Sequence, residues 1–380
     1  MIRPAVAEPD QDSAGEAAVR RFSAVDGLRG AAVLAVLLHD TGVGGRWFSW
    51  SGAGVDVLLV LAGFLTTLPL LRRATATGRT GVLGFLARRT RRLLPALVVS
   101  LALTFTVFWT LGSPRIVRDL ARPLPSALLG YGGWTDWLHG RPLDTVPTTA
   151  APLAPLWLFD LTARSVLAWS LLLAVLCLLA RRRLTGVALA ASLLTGAAVV
   201  AAARGMLPGT DVVPGLQALT VPAGAGAACL VHLAERGGRA PSRRVAVLLT
   251  ATGIAAAAAL VVSAVLHGGG QGERRYLAAA VLSAALLTAA LCGGQGPLAR
   301  LLSTDLLAEV GRMSYSLFLL HLPVYWLLRR GQPGLSTLAL FLVGAAVTWF
   351  LSLLVHYLLT ERLAGRRRRP DPVTVSRSAV

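Results

Sequence analysis

The residues best suited to chemistry in this chain are ionisable groups that interrupt long apolar runs. One such group starts with Asp26 and Arg29 and ends with the adjacent pair His39 and Asp40. A neutral histidine next to a carboxylate can act as a general base that removes a proton from a hydroxyl group. A histidine that is only hydrogen-bonded within the structure is the competing interpretation of the same pair.

A second group is the arginine cluster Arg88, Arg89, Arg91 and Arg92, which directly precedes a long apolar run. The planar guanidinium group forms two parallel hydrogen bonds to a phosphate, so such a cluster is well suited to phosphate binding. Arginines beside an apolar run are also typical of the cytoplasmic end of a membrane helix. Both interpretations stay open on the sequence alone.

The third group lies between Gly311 and Pro323 and contains Ser314, Tyr315 and His321. His321 follows Ser314 by seven residues, which is almost two helical turns. The two side chains therefore share a helix face without touching each other. Hydroxyl groups at a helix start more often serve packing than catalysis.

Composition shows what kind of structure must position these groups. The 380 residues include 37 basic side chains, all of them arginines, and 18 acidic ones, which leaves a net charge of +19. Only 14% of the residues are charged, 55% are hydrophobic and the mean hydropathy is +0.65. These values exclude a soluble enzyme of ordinary composition and a disordered basic chain. Nucleic acid is not an expected partner, because the arginines are scattered between apolar runs.

The fold class predicted from the apolar runs is an all-α bundle in the cell membrane. A helix needs roughly 20 apolar residues to cross the bilayer, and the chain contains about ten such runs. The sequence predicts multi-pass spans near residues 28–48, 51–71, 93–112, 157–180, 184–203, 214–234, 245–266, 276–293, 306–328 and 335–359.

The arginines orient this bundle, since cytoplasmic segments carry an excess of arginine. Most arginines fall in the segments that are cytoplasmic if the N-terminus is inside, so both termini are predicted to be cytoplasmic. We expect a polar tail at 1–21, a membrane domain at 22–361 and a basic tail at 362–380. The long segment Ser113–Pro155 then faces outward.

Depth in the bilayer favours a function for the first group. At about 1.5 Å per residue, His39 lies about 16 Å beyond Leu28, near the middle of the predicted first span. Charges at that depth are costly and usually functional. Asp160 and Arg164, by contrast, are predicted to neutralise each other as an i,i+4 pair. The apolar surroundings of Cys177, Cys229 and Cys292 indicate packing, and their spacing matches no metal motif.

Four stretches, taken in order, resemble the membrane acyltransferase-3 family of O-acyltransferases. They are Asp26-Gly27-Leu28-Arg29-Gly30 with His39, the run from Gly54 to Leu65, the run from Arg89 to Pro95, and the run from Ser314 to Pro323. The resemblance covers roughly residues 20–360.

The resemblance implies that acyl-CoA is a co-substrate, that no cofactor is bound, and that the acceptor is a sugar or similar hydroxylated molecule. Arg89 and Arg92, with Arg29 nearby, would hold the phosphates of the donor. His39, oriented by Asp40, would deprotonate the acceptor. Ser314, Tyr315 and His321 would contact the substrates. Membrane lipid completes the expected partners.

Three positions depart from the family pattern. His39 follows Arg29 one residue early, and Asp40 occupies the family spacing, so either a local bulge restores His39 or the geometry of the base is altered. Ala62 replaces a serine, and Thr162 replaces a glutamate. A non-catalytic relative, acting as a transporter, flippase or assembly partner, is therefore the alternative.

The predicted orientation can be tested by labelling single cysteines in a cysteine-free background. We expect a membrane-impermeant thiol reagent to label Asp136→Cys in intact cells and to spare Arg79→Cys until the cells are opened. The opposite labelling pattern would overturn the orientation.

Overall fold

The regular secondary structure of the described part of the chain is entirely helical. The structure, a computed structural model, describes residues 11–43, 53–111, 117, 124, 152–153, 155–180, 183–203, 220–238, 241–266, 273–293 and 296–365. No β-strand occurs within these ranges. The predicted all-α fold class is confirmed. The segment Ser113–Pro155, which is predicted to face outward, lies almost wholly outside the described residues, and so do residues 1–10 and 366–380.

Ten long helices and one short one account for most of the described residues. They are α1 (Gln11–Thr41), α2 (Ala53–Thr77), α3 (Val82–Leu111), α4 (Leu156–Ala180), α5 (Leu184–Ala203), α6 (Thr220–Arg236), α7 (Arg243–Leu266), α8 (Glu273–Cys292), α9 (Pro297–Leu302), α10 (Asp305–Gly331) and α11 (Thr337–Gly365). Each predicted span overlaps one of the long helices.

Length and hydropathy single out a subset of these helices. Among the described residues, six helices are long and apolar enough to cross a membrane, namely α2, α3, α4, α5, α7 and α11. In α8, the apolar stretch Tyr276–Cys292 is shorter. The remaining long helices, α1, α6 and α10, do not meet both conditions. The count of ten spans and the orientation of the termini therefore stay predictions.

The apolar helices differ in where they lie. The most apolar stretch of α2 is 72% buried inside the protein, whereas those of α3, α4, α5, α7 and α11 are only 17–28% buried. The outer helices expose large apolar side chains such as Leu178, Leu194 and Phe350. Extended apolar surface of this kind is typical of contact with lipid. The inner position of α2 places it next to the helices that carry the charged groups.

Helices α1 and α10 cross in direct backbone contact. A Cβ atom added to Gly30 would lie 2.2 Å from the carbonyl oxygen of Leu307, and one added to Gly311 would lie 1.7 Å from that of Asp26. Gly27 meets the backbone of Leu302, the last residue of α9, equally closely. Small residues allow such approaches between membrane helices, where packing rather than the hydrophobic effect drives association. We call this contact region, which continues along both helices, the α1–α10 seam.

A second glycine crossing joins α2 and α6. A Cβ atom on Gly63 would lie 2.2 Å from the carbonyl oxygen of Val221, and one on Gly224 would lie 1.9 Å from that of Val60. Gly63 belongs to one of the four stretches that carry the family resemblance. Its role is to bring α2 against α6, which fixes the position of the neighbouring polar residues of α2.

The predicted end of the first span is wrong. Helix α1 ends at Thr41, and Gly42 follows with a φ of 73°, the left-handed conformation that commonly terminates helices. The Thr41 hydroxyl donates to the carbonyl of Leu38 at 2.9 Å. His39 therefore lies in the last turn of α1 and not midway along it. At its other end, α1 starts at Gln11, inside the segment predicted to be a polar tail.

Two smaller predictions are confirmed. Arg164 and Asp160 form the predicted ion pair, with 2.9 Å between Nη2 and Oδ2. Cys177 and Cys229 are buried in apolar surroundings, and Cys292 packs against another apolar cluster.

The glycine crossing predicts that a methyl group added to α10 destabilises the protein at the crossing but not at the end of the helix. Gly311→Ala places Cβ against the backbone of α1, which cannot move aside as a side chain could, so we expect a loss of about 1–3 kcal/mol in stability. The matched control is Gly331→Ala in the last turn of the same helix, where a Cβ meets nothing within 4 Å. Thermal unfolding in detergent measures both. Equal stability of the two variants would contradict the crossing.

Candidate functional site

The first part of the candidate site is an arginine cluster, formed by Arg29 of α1 with Arg89 and Arg92 of α3. Arg29 donates through Nη1 to Oδ1 of Asp26, one turn earlier, at 3.3 Å. The charge of Arg29 also interacts with that of Arg92, and the charge of Arg89 interacts with those of both other arginines. The structure thus brings together the three arginines that the sequence analysis assigned to the donor.

Thr66 and Tyr315 position Arg89 within this cluster. Nη1 of Arg89 donates to the hydroxyl of Thr66 at 3.3 Å, and that hydroxyl donates to the carbonyl of Ala62 at 2.7 Å. The Thr66 side chain is completely buried. Tyr315 of α10 also interacts electrostatically with Arg89. Thr66 was not among the predicted site residues, although it directly follows the run from Gly54 to Leu65 that carries part of the family resemblance.

The cluster carries more positive than negative charge. In the described part of the chain, three guanidinium groups share the single carboxylate of Asp26 in these contacts. Arg92 is exposed while Arg29 and Arg89 are partly buried, so the cluster is reachable from its open side. Crowded positive charges repel each other, and a bound anion with several oxygen acceptors would relieve that repulsion. The arrangement favours binding of a phosphate-bearing ligand.

Ser314 and Tyr315 lie next to the cluster on α10. Ser314 is buried, and the Tyr315 ring packs in the apolar contacts between α3, α10 and α11. The Tyr315 hydroxyl is also buried and has no hydrogen-bond partner among the described residues. A buried hydroxyl without a partner is costly. It is therefore available as a donor to a ligand that enters from the arginine side.

The second part of the site is a hydrogen bond between Asp40 at the end of α1 and His321 of α10. Nε2 of His321 and Oδ2 of Asp40 are 2.8 Å apart, although the residues are 281 positions apart in sequence. The His321 side chain is 1% exposed and that of Asp40 is 13% exposed. Arg329 donates through Nη2 to the backbone carbonyl of Asp40 at 2.8 Å. We call the two residues the Asp40–His321 pair.

The surroundings of His321 hold its ring in one orientation. Nδ1 lies 2.6 Å from the carbonyl oxygen of Phe318. The ring of Tyr325 stands edge-on at a centroid distance of 5.9 Å, and that of Phe318 lies at 5.5 Å. Tyr325 fits there because Gly344 of α11 has no side chain, since a Cβ would lie 2.1 Å from the tyrosine ring.

His39 lies apart from both groups. Its side chain is exposed. At about 100° per residue, Asp40 lies only about 20° from the direction of Arg29 on α1, whereas His39 lies about 80° away. Asp40 therefore faces α10 and bonds His321, whereas His39 points in another direction. This differs from the expected arrangement, in which Asp40 orients His39. A role of His39 as the base stays a prediction.

The two parts of the site lie at opposite ends of one face. Arg29 and Asp40 are eleven residues apart, which corresponds to about 16 Å along α1. The α1–α10 seam connects them. The eleven-residue spacing was visible in the sequence, and His321 was a predicted substrate contact. No pattern along the chain indicated that His321 is the partner of Asp40.

Comparison with known proteins agrees with this architecture. The acyltransferase-3 family model, described as an acyltransferase domain, matches residues 22–357. A Staphylococcus aureus (strain COL) protein provisionally named as an O-acetyltransferase is 28% identical over 166 residues, which cover 43% of this chain and 27% of that protein. O-acetyltransferase OatA of S. aureus (strain NCTC 8325 / PS 47) is 29% identical over 141 residues, or 36% and 22% of the two chains.

The matched region thus spans about a quarter of the length of these curated relatives. No solved structure matches the chain significantly. The family match, together with the six apolar helices, identifies a multi-pass membrane protein.

Proposed function

Because the chain belongs to the acyltransferase-3 family, we propose that it transfers an acyl group from cytosolic acyl-CoA to a hydroxyl group of a sugar or similar acceptor. The names of the two relatives favour an acetyl group. The observation that carries the proposal is the unbalanced arginine cluster, which lies at one end of a seam whose other end holds a carboxylate–histidine pair.

The arginine cluster suits the phosphate groups of coenzyme A. Arg29, Arg89 and Arg92 come from two helices, so their guanidinium groups approach a ligand from different directions. Guanidinium groups recognise phosphate oxygens through paired hydrogen bonds and remain charged throughout. In the predicted orientation this end of the seam is cytoplasmic, where acyl-CoA is found.

The acyl-bearing arm of the donor would then extend from the arginines beside the α1–α10 seam, because the seam itself is closed by backbone contact. The arm is long and flexible, and the distance from Arg29 to Asp40 is about 16 Å. Ser314 and the unsatisfied hydroxyl of Tyr315 line the start of this route and can donate to the thioester oxygen as negative charge develops on it.

The reaction moves one proton from the acceptor hydroxyl, through a base, to the departing thiolate. The acceptor hydroxyl loses its proton as its oxygen attacks the thioester carbon, the C–O bond forms, and the C–S bond breaks. Coenzyme A leaves as a thiolate, which takes up a proton and becomes the free thiol. The base at the Asp40 end of the seam is either His39 or Asp40. In the predicted orientation an exported or lipid-linked acceptor would reach this end from outside.

The direct test is acyl transfer by the purified chain in detergent. Acetyl-CoA is supplied with a panel of mono- and disaccharides, and release of the coenzyme A thiol is measured together with the mass of the product. We expect thiol release that depends on the acceptor. A chain that binds lipid-linked sugar but transfers no acyl group to any acceptor would instead be a non-catalytic relative.

The arginine cluster predicts a loss of donor affinity on substitution. Arg89→Ala and Arg92→Ala should each weaken acetyl-CoA binding by about 1.5–3 kcal/mol, the scale of a charge-assisted hydrogen bond. Lysine at either position should restore only part of the affinity, because an ammonium group cannot form the paired contact. Calorimetric titration with acetyl-CoA measures the change.

Arg91→Ala is the matched control for these variants. Arg91 lies exposed on the same helix, and its replacement by alanine removes the same charge. Arg91 is not among the charges that interact with Arg29 or Arg89. If Arg91→Ala weakens binding as much as Arg89→Ala does, the effect is one of overall charge and not of a defined site.

A further inference from the structure

The Asp40–His321 hydrogen bond bears on which residue accepts the proton of the acceptor hydroxyl. We propose that Asp40 is the catalytic base of this chain and that His321 positions the Asp40 carboxylate and compensates its charge. This assignment rests on the proposed acyl transfer and deepens it. His39, in contrast, takes no direct part in the reaction.

The hydrogen bonds of His321 determine which of its nitrogens carry protons. The carbonyl oxygen of Phe318 can only accept, so Nδ1 of His321, 2.6 Å away, must carry a proton and donate it. The 2.8 Å contact between Nε2 and Oδ2 of Asp40 requires one more proton between those two atoms. Both ring nitrogens are therefore engaged, and neither is left to accept a proton from a substrate.

The remaining acceptor of the pair is Oδ1 of Asp40, which these contacts do not use. The Asp40 side chain is 13% exposed while His321 is almost completely buried, so a substrate can reach the carboxylate but not the ring. Carboxylates serve as general bases when they lie within hydrogen-bond reach of the reacting hydroxyl. Asp40 therefore offers an accessible acceptor atom, and His321 holds it in place.

The end of α1 also explains why Asp40 needs a cationic partner. The carboxyl end of a helix carries partial negative charge, which disfavours an unpaired carboxylate in its last turn and favours nearby cations. The guanidinium group of Arg329, bonded to the Asp40 carbonyl, supplies positive charge at this point, and His321 adds to it when both of its ring nitrogens carry protons. In the proposed resting state the pair is an imidazolium and a carboxylate.

The proton balance follows from this state. The acceptor hydroxyl passes its proton to Oδ1 of Asp40 as its oxygen bonds to the thioester carbon, while the imidazolium of His321 stays bonded to Oδ2. The C–S bond breaks, and the departing thiolate takes the proton from Asp40 to form the coenzyme A thiol. The pair returns to its starting state, and no further reactant is required.

Paired substitutions at the two residues separate catalysis from packing. Asp40→Asn keeps the shape of the side chain but cannot accept the proton, so turnover of acetyl-CoA with the best acceptor of the saccharide panel should fall about 10²–10⁴-fold. The affinity for acetyl-CoA should stay unchanged, and turnover should fall by far more than any loss of stability explains. Asp40→Glu should recover part of the rate. The matched control is Asp305→Asn, an exposed carboxylate at the start of α10.

Two amide replacements of His321 test the positioning role. In His321→Gln the amide reaches the place of Nε2 and can still donate to Asp40, whereas in His321→Asn it occupies the place of Nδ1 and donates only to Phe318. We expect kcat to fall less for glutamine than for asparagine, with the KM for acetyl-CoA unchanged in both. A purely structural histidine would show equal kinetic losses that follow the loss of stability.

The outcomes also separate this assignment from the proposed function. If His39→Ala abolishes turnover while Asp40→Asn retains most of it, the base is His39 and the assignment is wrong although acyl transfer stands. If Asp40→Asn loses turnover only in proportion to its stability, the pair is structural. If the parent chain binds acetyl-CoA but transfers nothing to any acceptor or to water, the proposed function fails and the assignment fails with it.

Discussion

Backbone contact between α1 and α10 is the constraint on which both parts of the site depend. In lipid, two helices gain no hydrophobic free energy by associating, so their relative position depends on how closely their surfaces fit. Gly30 and Gly311 remove the side chains that would separate the two backbones. Since helices are stiff, the crossing near Gly30 also determines what meets at the far end of the seam, where Asp40 reaches His321.

The two ends of the seam differ in how their charges are compensated. Among the described residues of the arginine end, Arg29 has the Asp26 carboxylate and Arg89 bonds the neutral hydroxyl of Thr66, so positive charge is in excess. At the other end, the carboxylate of Asp40 meets His321 and lies beside Arg329. Charges within a membrane protein are costly unless they are paired or used. The first end therefore suits an anionic ligand, whereas the charge at the second end is compensated by neighbouring protein groups.

Much of the site lies on two helices of low hydropathy. Helices α1 and α10 carry Arg29, Asp40 and His321 and do not meet the hydropathy condition that six other helices in the described ranges meet, whereas Arg89 and Arg92 lie on α3, which meets it. Five of those six expose most of their apolar surface and surround the inner helices. This arrangement has a simple cause, because the helices at the centre contact protein and not lipid, and so they tolerate polar side chains.

Composition and the lengths of the apolar runs were sufficient to predict an all-helical membrane protein, and each predicted span overlaps a helix. Motifs also pointed to Arg29, Arg89 and Arg92, because the family resemblance rests on residue types at fixed places in short stretches of sequence. These features are local. They depend on residue type and on spacing along one helix, and both can be read from the chain.

The identity of the pair at the other end could not be decided in this way. His39 and Asp40 are adjacent, so they point in different directions from α1. The sequence does not show which of the two directions faces a neighbouring helix. The tertiary structure decides it, because α10 packs against the face that bears Asp40 and brings His321 to it across 281 residues. The end of α1 at Thr41 was missed for a related reason, since Gly42 stops the helix only by adopting a backbone conformation that composition does not reveal.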